Sequence, residues 1–335
     1  MIYAPVIIPT LNRDKHLERC LTSLMKNSVA SETEVYVSVD YPPAEKYVEG
    51  YERVKKVLEK DYSGFKKLHV IYQEENLGAG KNIDFLRAYV SKTYDRFIAT
   101  EDDNEFSENF LEYMDKGLEK FQEDSTILGI CGFRDAQWKD NGSNVVKSKL
   151  FAPYGYGAWF GKNYAYQEAG EKLLLSTENM KPSKMFSLLR KNPMLFSIYV
   201  SNLICTNKGI YWNEDGTIRW ADSIRSIYMH FTDTCCIVPV KCKSRTWGND
   251  GSGLNMEKIE GLNPEEEWIL DSDPGFEYDI REPFEYDKEN YKIGRKYLKV
   301  KGINHLVLSG LVKYVLLMFY RYDREKVIKV IERVH

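Results

Sequence analysis

Strand and helix patterns alternate without interruption through the first hundred residues of this chain. Short apolar runs with strand character are separated by segments whose apolar residues recur at helical spacing: Pro5–Pro9, Asp14–Asn27, Glu34–Asp40, Tyr47–Lys60, Leu68–Ile71, Gly78–Tyr94 and Phe97–Thr100. A β-α-β-α-β-α-β order of this kind connects parallel strands through crossover helices. The sequence therefore predicts an α/β fold with a mostly parallel central sheet and helices on both faces.

Composition limits the classes of protein to which the chain can belong. Its 335 residues are enough for one large domain or two smaller ones. A formal net charge of −3 argues against a general nucleic-acid binder, which needs a basic face. The six cysteines lack metal-ligand spacing, and Met1 lies too close to the first strand for a signal peptide. These features favour a cytoplasmic protein with reduced thiols that does not bind nucleic acid.

Three consecutive acidic residues, Glu101, Asp102 and Asp103, follow the fourth strand pattern and are called the acidic triplet below. The carboxyl ends of parallel strands form the edge at which α/β sheets bind ligands. Carboxylate oxygens at that edge suit Mg²⁺ or Mn²⁺ carrying a diphosphate. The alternative is a helix cap, but three adjacent carboxylates exceed what a cap needs and repel one another without a cation. We therefore interpret the acidic triplet as a metal and nucleotide site.

Further candidates follow the other strands at the same expected edge. Arg13 lies just beyond the first strand and can pair with a diphosphate. Asp40 ends the second strand, where it is either a nucleotide contact or an ordinary strand-end cap. The turn Asn76–Asn82 contains two glycines but has neither the spacing of a P-loop nor that of a dinucleotide-binding fingerprint.

The middle of the chain has fewer regular patterns. Two glycine-bearing segments, Tyr154–Gly161 and Arg245–Gly253, are interpreted as loops. A helix is expected over Tyr164–Leu189. Asp222, which follows Trp220, is a candidate general base. Other carboxylates remain alternatives for that function: Glu214, Asp215, Asp233 and Asp250.

The end of the chain combines apolar and basic residues. Ile303–Tyr320 is strongly apolar, but polar residues interrupt it, whereas a membrane-spanning helix needs about 20 mostly apolar residues. Arg321–His335 mixes basic and apolar side chains, which allows a helix on an anionic membrane surface. A terminal helix pair packed on the domain is equally compatible with this pattern. The acidic, proline-containing segment Asn263–Asn290 suggests an extended surface segment.

Taken in order, these positions resemble the nucleotide-sugar-dependent glycosyltransferases of the GT-A fold. The segment Pro5–Arg13 and the leucines after it are similar to the opening of family 2 members. Val37–Asp40 and the acidic triplet look like the second strand end and the Glu-Asp-Asp motif of the N-acetylglucosaminyltransferase I type. The resemblance covers about the first 115 residues. A weaker similarity returns at Trp220–Asp222 and Cys236–Thr246.

The resemblance implies a function for each candidate residue. Asp103 would ligate Mn²⁺ or Mg²⁺, and the family's base would correspond to Asp222, although in the family the aspartate directly follows the tryptophan. Asn82 stands where a histidine is expected. The residues implied at the nucleotide sugar are Pro9, Thr10, Arg13, Asp40, Lys81, Asn82, Glu101 and Asp102. The residues implied in acceptor or closing loops are Tyr156, Gly157, Trp159, Trp247 and Asp250.

The function expected from these residues and this resemblance is a metal-dependent, inverting glycosyltransferase. It would move a sugar from a nucleotide-diphosphate sugar, with a UDP-sugar as the expected donor, to a hydroxyl of a glycan or lipid-linked acceptor in surface polysaccharide synthesis. It would be cytoplasmic, with membrane contact at the inner face through residues 303–335.

Three parts are expected along the chain, and two other functions remain open. Residues 1–115 would bind the nucleotide sugar, residues 116–260 would bind the acceptor and catalyse transfer, and residues 261–335 would form an acidic linker and helical tail. A nucleotidyltransferase acting on sugar phosphates would need a basic, glycine-rich loop after the first strand. The segment Pro9–Arg13 at that place contains one arginine and no glycine. A non-catalytic sugar-binding scaffold of the same fold is the other alternative.

Overall fold

The computed structural model describes residues 3–134, 142–204, 221–253, 258–281 and 304–334. The chain folds into two units, each assembled from separate segments. The first unit comprises Met1–Val146, Ala152–Asn163 and Cys236–Phe284, and the second comprises Lys147–Phe151, Tyr164–Cys235 and Glu285–His335. The functional division at residues 115 and 260 stays a prediction.

The amino-terminal half of the central sheet has the predicted parallel order. Its strands lie side by side as β3 (Lys67–Tyr72), β2 (Glu34–Val39), β1 (Val6–Thr10) and β4 (Arg96–Ala99), and all three pairings are parallel. Helices connect them in the predicted alternation: α1 (Asp14–Met25), α2 (Val48–Leu58) and α3 (Gly78–Val90). Because the strands are parallel, their carboxyl ends meet along one edge, where ligands bind in such sheets.

The other half of the sheet is mixed. Beyond β4 the order continues with β8 (Tyr156–Trp159), β6 (Ile127–Cys131), β9 (Cys235–Pro239) and β7 (Val145–Ser148). The β8 strand runs antiparallel to both β4 and β6. The prediction of a loop over this segment is therefore wrong. Gly157 instead allows close packing, since a Cβ atom there would lie 3.0 Å from Leu118 of helix α4 (Phe110–Lys120).

A short two-stranded sheet follows the acidic triplet. Its strands, β5 (Asn104–Phe106) and β10 (Ser244–Thr246), are antiparallel, with Asn104 opposite Thr246. Helix α4 begins only at Phe110, so the acidic triplet does not cap a helix. The pairing brings the segment after Thr246 next to the acidic triplet. Farther along the chain, the described part of the predicted acidic surface segment contains one short helix, α9 (Pro264–Glu267).

The second unit is helical. Its helices are α5 (Phe160–Leu174, from Tyr164 onward), α6 (Pro182–Lys191), α7 (Pro193–Leu203), α8 (Ala221–Thr232), α10 (Asn304–Phe319) and α11 (Arg324–Val334). The helix expected over 164–189 is thus divided into α5 and α6. Prolines begin α6 and α7, as their missing N–H and restricted φ favour at the first helical position.

The two terminal helices belong to the hydrophobic core of the second unit. Tyr314 and Leu317 of α10 and Val327 of α11 are fully buried there among residues of α6 and α7, including Leu188 and Phe196. This arrangement matches the expectation of a terminal helix pair packed on its domain. Among the described residues, no helix combines the length and the apolar character that crossing a membrane requires.

Candidate active site

An ion-paired cluster lies at the carboxyl edge of the parallel strands. Arg13 Nη1 is 2.7 Å from Asp103 Oδ2, and Arg13 Nη2 donates to Asp102 Oδ1. Thr10 Oγ1, at the end of β1, donates to Asp102 Oδ2 over 2.7 Å. Asp102 and Asp103 are only 2% and 5% exposed. The sheet therefore brings together four predicted residues that are up to 93 positions apart in the sequence, Thr10 to Asp103.

Burial and charge act in opposite directions within this cluster. Burial raises the pKa of Asp102 above its ordinary value, and the Asp103 charge adds to this, while Arg13 and the Thr10 hydroxyl oppose it. Burial alone would lower the pKa of Arg13, but the two carboxylates raise it above its ordinary value. Arg13 thus stays charged and holds two adjacent carboxylates that would otherwise repel each other.

Asp103 keeps one oxygen available. Its Oδ1 atom is buried and has no hydrogen-bond partner among the described residues. A buried carboxylate oxygen without a partner is costly in a protein unless a ligand or cation completes it. Asn249 Oδ1 is a second buried oxygen without a described partner, and it lies on the segment that contacts Asp103. Asn104 Oδ1, next to Asp103 in the chain, is another buried oxygen without a described partner. Carboxylate and amide oxygens of this kind suit a hard divalent cation.

The described residues do not by themselves form a complete metal cage. No group of three or more His, Cys, Asp or Glu side chains in the described ranges is arranged to hold an ion. Mg²⁺ is commonly bound through one or two carboxylates together with substrate phosphates. The site therefore fits a cation that binds together with a phosphate-bearing ligand.

The segment Trp247–Gly253 closes one side of the acidic triplet. Trp247 N donates to the Asp103 carbonyl oxygen over 2.8 Å. At Gly248, a Cβ atom would lie 2.4 Å from Asp103 Oδ2. Real Cβ atoms do not approach so closely, so only glycine fits beside this carboxylate. Gly248 is thus part of the site, although it was not among the predicted site residues.

Side chains from three elements hold this segment in place. Glu105 Oε2 accepts hydrogen bonds from Trp247 Nε1 over 2.7 Å and from Arg245 Nε over 2.9 Å. The Arg19 guanidinium lies 4.0 Å from the centre of the Trp247 ring, a cation–π distance. Burial would raise the pKa of Glu105, but these hydrogen bonds and charges lower it. Glu105 thus remains an ionised anchor for the loop.

The far end of the segment contacts helix α1. His16 Nε2 lies 2.9 Å from Asp250 Oδ2, and Ser252 N donates to Asp250 Oδ1 over 2.9 Å. Gly251 has a φ of +83°, in the left-handed region that favours glycine. Asp250 therefore joins the loop to the same helix that begins just after Arg13.

Asp40 is engaged by its own fold. Its two carboxylate oxygens accept hydrogen bonds from the backbone nitrogens of Tyr41, Leu77 and Gly78, and from the Asn76 amide, over 2.8 to 3.2 Å. These four bonds match the four acceptor sites of a carboxylate. These contacts are those expected of a carboxylate that caps a strand end. A contact between Asp40 and the nucleotide stays a prediction.

The remaining candidates at the nucleotide edge lie in different environments. Asn82 is buried and is bound to β2, where Ser38 Oγ donates to its Oδ1 and its Nδ2 donates to the Ser38 carbonyl over 3.2 Å. Lys81 and Glu101 are exposed, and Pro9 is half-buried in β1. Their contacts with a nucleotide sugar stay predictions.

Three residues expected in an acceptor loop lie instead in the buried strand β8. Tyr156 OH accepts a hydrogen bond from Arg87 Nη2 over 2.6 Å, and Trp159 Nε1 donates to the Leu118 carbonyl over 3.1 Å. Gly157 lies between them, and all three are buried. Their loop assignment was wrong because the glycines of this segment allow close packing of a strand. That these three residues contact the acceptor stays a prediction, and their burial leaves them little surface for such a contact.

The structure describes the side chains of only some of the candidate bases. Asp222 lies in α8, and its side chain is outside the described residues. Glu214 and Asp215 also fall outside them. Lys149 lowers the pKa of Asp233 through a hydrogen bond and its charge. Burial would raise the pKa of Asp250, but Ser252 and His16 lower it. A lowered pKa makes a carboxylate a weaker base, so the two described alternatives are less suited than an unperturbed acid.

The sequence offered a signal for some of the residues it missed. Glu105 lies only two positions beyond Asp103 in the sequence. Gly248 and Asn249 lie inside the segment interpreted as a closing loop. The proximity of Gly248 to Asp103 depends on the pairing of β5 with β10, which joins residues about 140 positions apart and has no local sequence pattern.

Comparisons with known proteins give one family match and several partial structural likenesses. The sequence model of Glycosyl transferase family 2 matches residues 6–191, which is more than half of the 335 residues. No curated protein matches the sequence.

Three solved structures illustrate the likenesses. TarS from S. aureus has 15% identity and a TM-score of 0.35, over 50% of this chain and 29% of that chain. The mannosyltransferase PcManGT from Pyrobaculum calidifontis, solved with GDP-Man and Mn²⁺, has 14% identity and a TM-score of 0.34, over 47% of this chain and 44% of that chain. HddC from Yersinia pseudotuberculosis has 14% identity and a TM-score of 0.30, over 48% of this chain and 77% of that chain. The chain thus spans less than half the length of the first two.

Proposed function

The chain belongs to glycosyl transferase family 2, and we propose that it is a metal-dependent, inverting enzyme whose donor is a nucleotide-diphosphate sugar, with UDP as the nucleotide. Family membership supports a nucleotide-sugar glycosyltransferase. The observation that carries the finer proposal is the buried Oδ1 of Asp103 at the carboxyl edge of the parallel strands, which has no hydrogen-bond partner among the described residues. That atom is available to a cation, whereas both oxygens of Asp102 are engaged.

The donor's leaving group would lie against the acidic triplet. Asp103, together with Asn249 of the neighbouring segment, would hold Mn²⁺ or Mg²⁺, and the diphosphate would supply further ligands. A cation bound there offsets the negative charge that grows on the diphosphate as the sugar departs. Arg13 keeps the two carboxylates in place, and the nucleotide would extend along the edge formed by Pro9, Thr10, Asp40, Lys81, Asn82 and Glu101.

The transfer step needs a base for the acceptor hydroxyl. We assign this function to Asp222, as the family resemblance implies. The carboxylate would take the hydroxyl proton while the oxygen attacks the anomeric carbon. A new glycosidic C–O bond forms as the bond to the diphosphate breaks on the opposite face, which inverts that centre. The segment with Trp247 and Asp250 would cover the bound donor, with Gly251 at a position where the backbone requires a left-handed conformation.

Nucleotide release measured with and without Mn²⁺ tests this proposal. For a UDP-sugar substrate, we expect release that depends on the metal and that falls at least about a hundredfold in Asp103→Ala. Glu108→Ala removes an exposed carboxylate close by in the sequence and serves as the matched control. Equal release by Asp103→Ala and wild type would contradict the assignment of Asp103. Absence of release with any nucleotide-sugar donor would favour the non-catalytic scaffold.

The acceptor is proposed to be a hydroxyl of a glycan or of a lipid-linked glycan in surface polysaccharide synthesis. The lipid-linked case would place the enzyme at the inner face of the cell membrane. That case requires a surface within residues 303–335 that contacts lipid.

A further inference from the structure

Helix α10 carries an apolar face that is exposed in the described part of the chain. Leu308, Val312, Val315 and Phe319 are each more than half exposed. Their spacing of four, three and four residues places them along one side of the helix. We call these four residues the outer stripe. Surface helices normally present polar residues to water, so a continuous row of four large apolar side chains indicates a contact surface.

The outer stripe is not a consequence of poor packing. Tyr314 and Leu317, on the other side of α10, are 1% and 0% exposed in the core of the second unit. Tyr314 OH also donates to the Met180 carbonyl over 2.7 Å. The helix is therefore held by one face, and the outer stripe remains available while the fold is complete.

Basic side chains accompany the outer stripe. Helix α11 exposes Lys326, Lys329 and Arg333, whose spacing of three and four residues places them in one row, and it also exposes Glu325 and Glu332. Lys326 Nζ lies 3.0 Å from Asp323 Oδ2, so Lys329 and Arg333 are the row's members without a described ion pair. The turn between the two helices exposes Arg321, which has a φ of +53°. The backbone nitrogen of Tyr322, with a φ of +64°, donates to the Leu317 carbonyl over 2.6 Å. This tight turn joins the apolar helix directly to the basic one.

We infer that the outer stripe and the basic row of α11 dock on an anionic lipid surface. Apolar side chains enter the boundary between headgroups and acyl chains, and neighbouring Lys and Arg residues attract acidic headgroups. A second copy of the chain fits less well, because a stable protein interface needs roughly 20 to 30 residues on each side. Four apolar side chains and the three side chains of the basic row are far fewer.

Sedimentation of the full chain with lipid vesicles tests this inference. We expect binding to phosphatidylcholine vesicles that contain about 30% phosphatidylglycerol, and much weaker binding to pure phosphatidylcholine. In Leu308→Ser/Phe319→Ser we expect a loss of at least about tenfold in vesicle affinity. In Lys326→Gln/Lys329→Gln we expect weaker binding that depends less on salt. Ile269→Ser is the matched control, because Ile269 is 71% exposed but lies in the first unit.

Several results would overturn the inference. These are failure of the wild type to bind the anionic vesicles, equal binding by the outer-stripe variant, and an equal loss in the Ile269 control. A concentration-dependent dimer in sedimentation velocity that the outer-stripe variant abolishes would identify a self-association surface instead. Thermal unfolding of each variant verifies the fold. Nucleotide release from a soluble donor should stay unchanged, so this test fails or succeeds independently of the proposed transfer reaction.

Discussion

Two adjacent carboxylates in the acidic triplet have different environments. Both oxygens of Asp102 are used, by Thr10 and Arg13, whereas Asp103 retains a buried oxygen without a described partner. The sequence placed both residues at a ligand-binding edge, because strand ends of a parallel sheet converge. Only the family resemblance distinguished them, by assigning the metal to Asp103. The local pattern could not, since the difference in environment depends on side chains about 90 positions earlier in the chain. Asp40 was ambiguous for the same reason, because its partners come from the turn after β3.

Gly248→Ala is expected to damage the site more than the fold. The added Cβ atom would lie 2.4 Å from Asp103 Oδ2, so either the loop or the carboxylate must move. We expect Mn²⁺-dependent nucleotide release to fall at least about tenfold, with a loss of about 1 to 3 kcal/mol in the free energy of unfolding. Gly80→Ala is the control, because no atom lies within 4 Å of its added Cβ. Release unchanged in Gly248→Ala would show that this contact is unimportant.

At the scale of elements, one buried carboxyl links helix α4 to the start of the sheet. Asp115 Oδ1 accepts a hydrogen bond from Ala4 N over 2.8 Å, while its Oδ2 is buried without a described partner. Burial raises the pKa of Asp115 to about 7, although the Ala4 hydrogen bond opposes the shift. The native state therefore binds a proton that the unfolded chain releases near pH 4.

Asp115→Asn should change how stability depends on pH. Since the native state of the wild type holds the extra proton between about pH 4 and 7, its free energy of unfolding falls as the pH rises through that range. The variant lacks this titration. We expect its free energy of unfolding, relative to wild type, to be higher at pH 8 than at pH 5 by about 1 to 4 kcal/mol. Urea unfolding at the two pH values measures the difference, and a constant difference would contradict the assigned pKa.

Helix α10 should be essential to the second unit. Tyr314 is buried against Phe196 and donates a hydrogen bond to Met180, so Tyr314→Ala removes both packing and a polar contact. We expect a loss of about 3 to 5 kcal/mol in the free energy of unfolding. Val312→Ala, on the exposed side of the same helix, should change it by less than about 0.5 kcal/mol. Similar losses in both variants would mean that the helix does not pack as described.

Strand β8 shows where prediction of the elements failed. Its glycine-bearing segment was interpreted as a loop, but Gly157 lies within the sheet and packs against Leu118 of helix α4. A glycine that permits close approach and a glycine that permits a turn have the same sequence signature. The first four strands were predicted because their apolar runs alternate with helices, and this alternation is a local property of the sequence.

For the whole molecule, the division into two units could not be inferred from chain order. The first unit combines Met1–Val146 and Ala152–Asn163 with the later segment Cys236–Phe284. The second unit joins the middle of the chain to its end. Such groupings arise from long-range pairings, for example between β5 and β10, that no local pattern encodes. The family assignment, by contrast, rests on residues 6–191 and agrees with the resemblance found in the opening residues.

Calorimetric titration of Mn²⁺ into the protein, with and without UDP, tests the central claim that Asp103 holds the cation of a nucleotide-diphosphate site. Because the described residues provide few ligands of their own, we expect weak Mn²⁺ binding alone and binding at least about tenfold tighter with UDP present. Asp103→Asn should lose this gain, and Glu108→Ala should retain it. Equal Mn²⁺ affinity in the wild type with and without UDP, or an undiminished effect of UDP on Mn²⁺ affinity in Asp103→Asn, would contradict the assignment of Asp103 as the cation ligand.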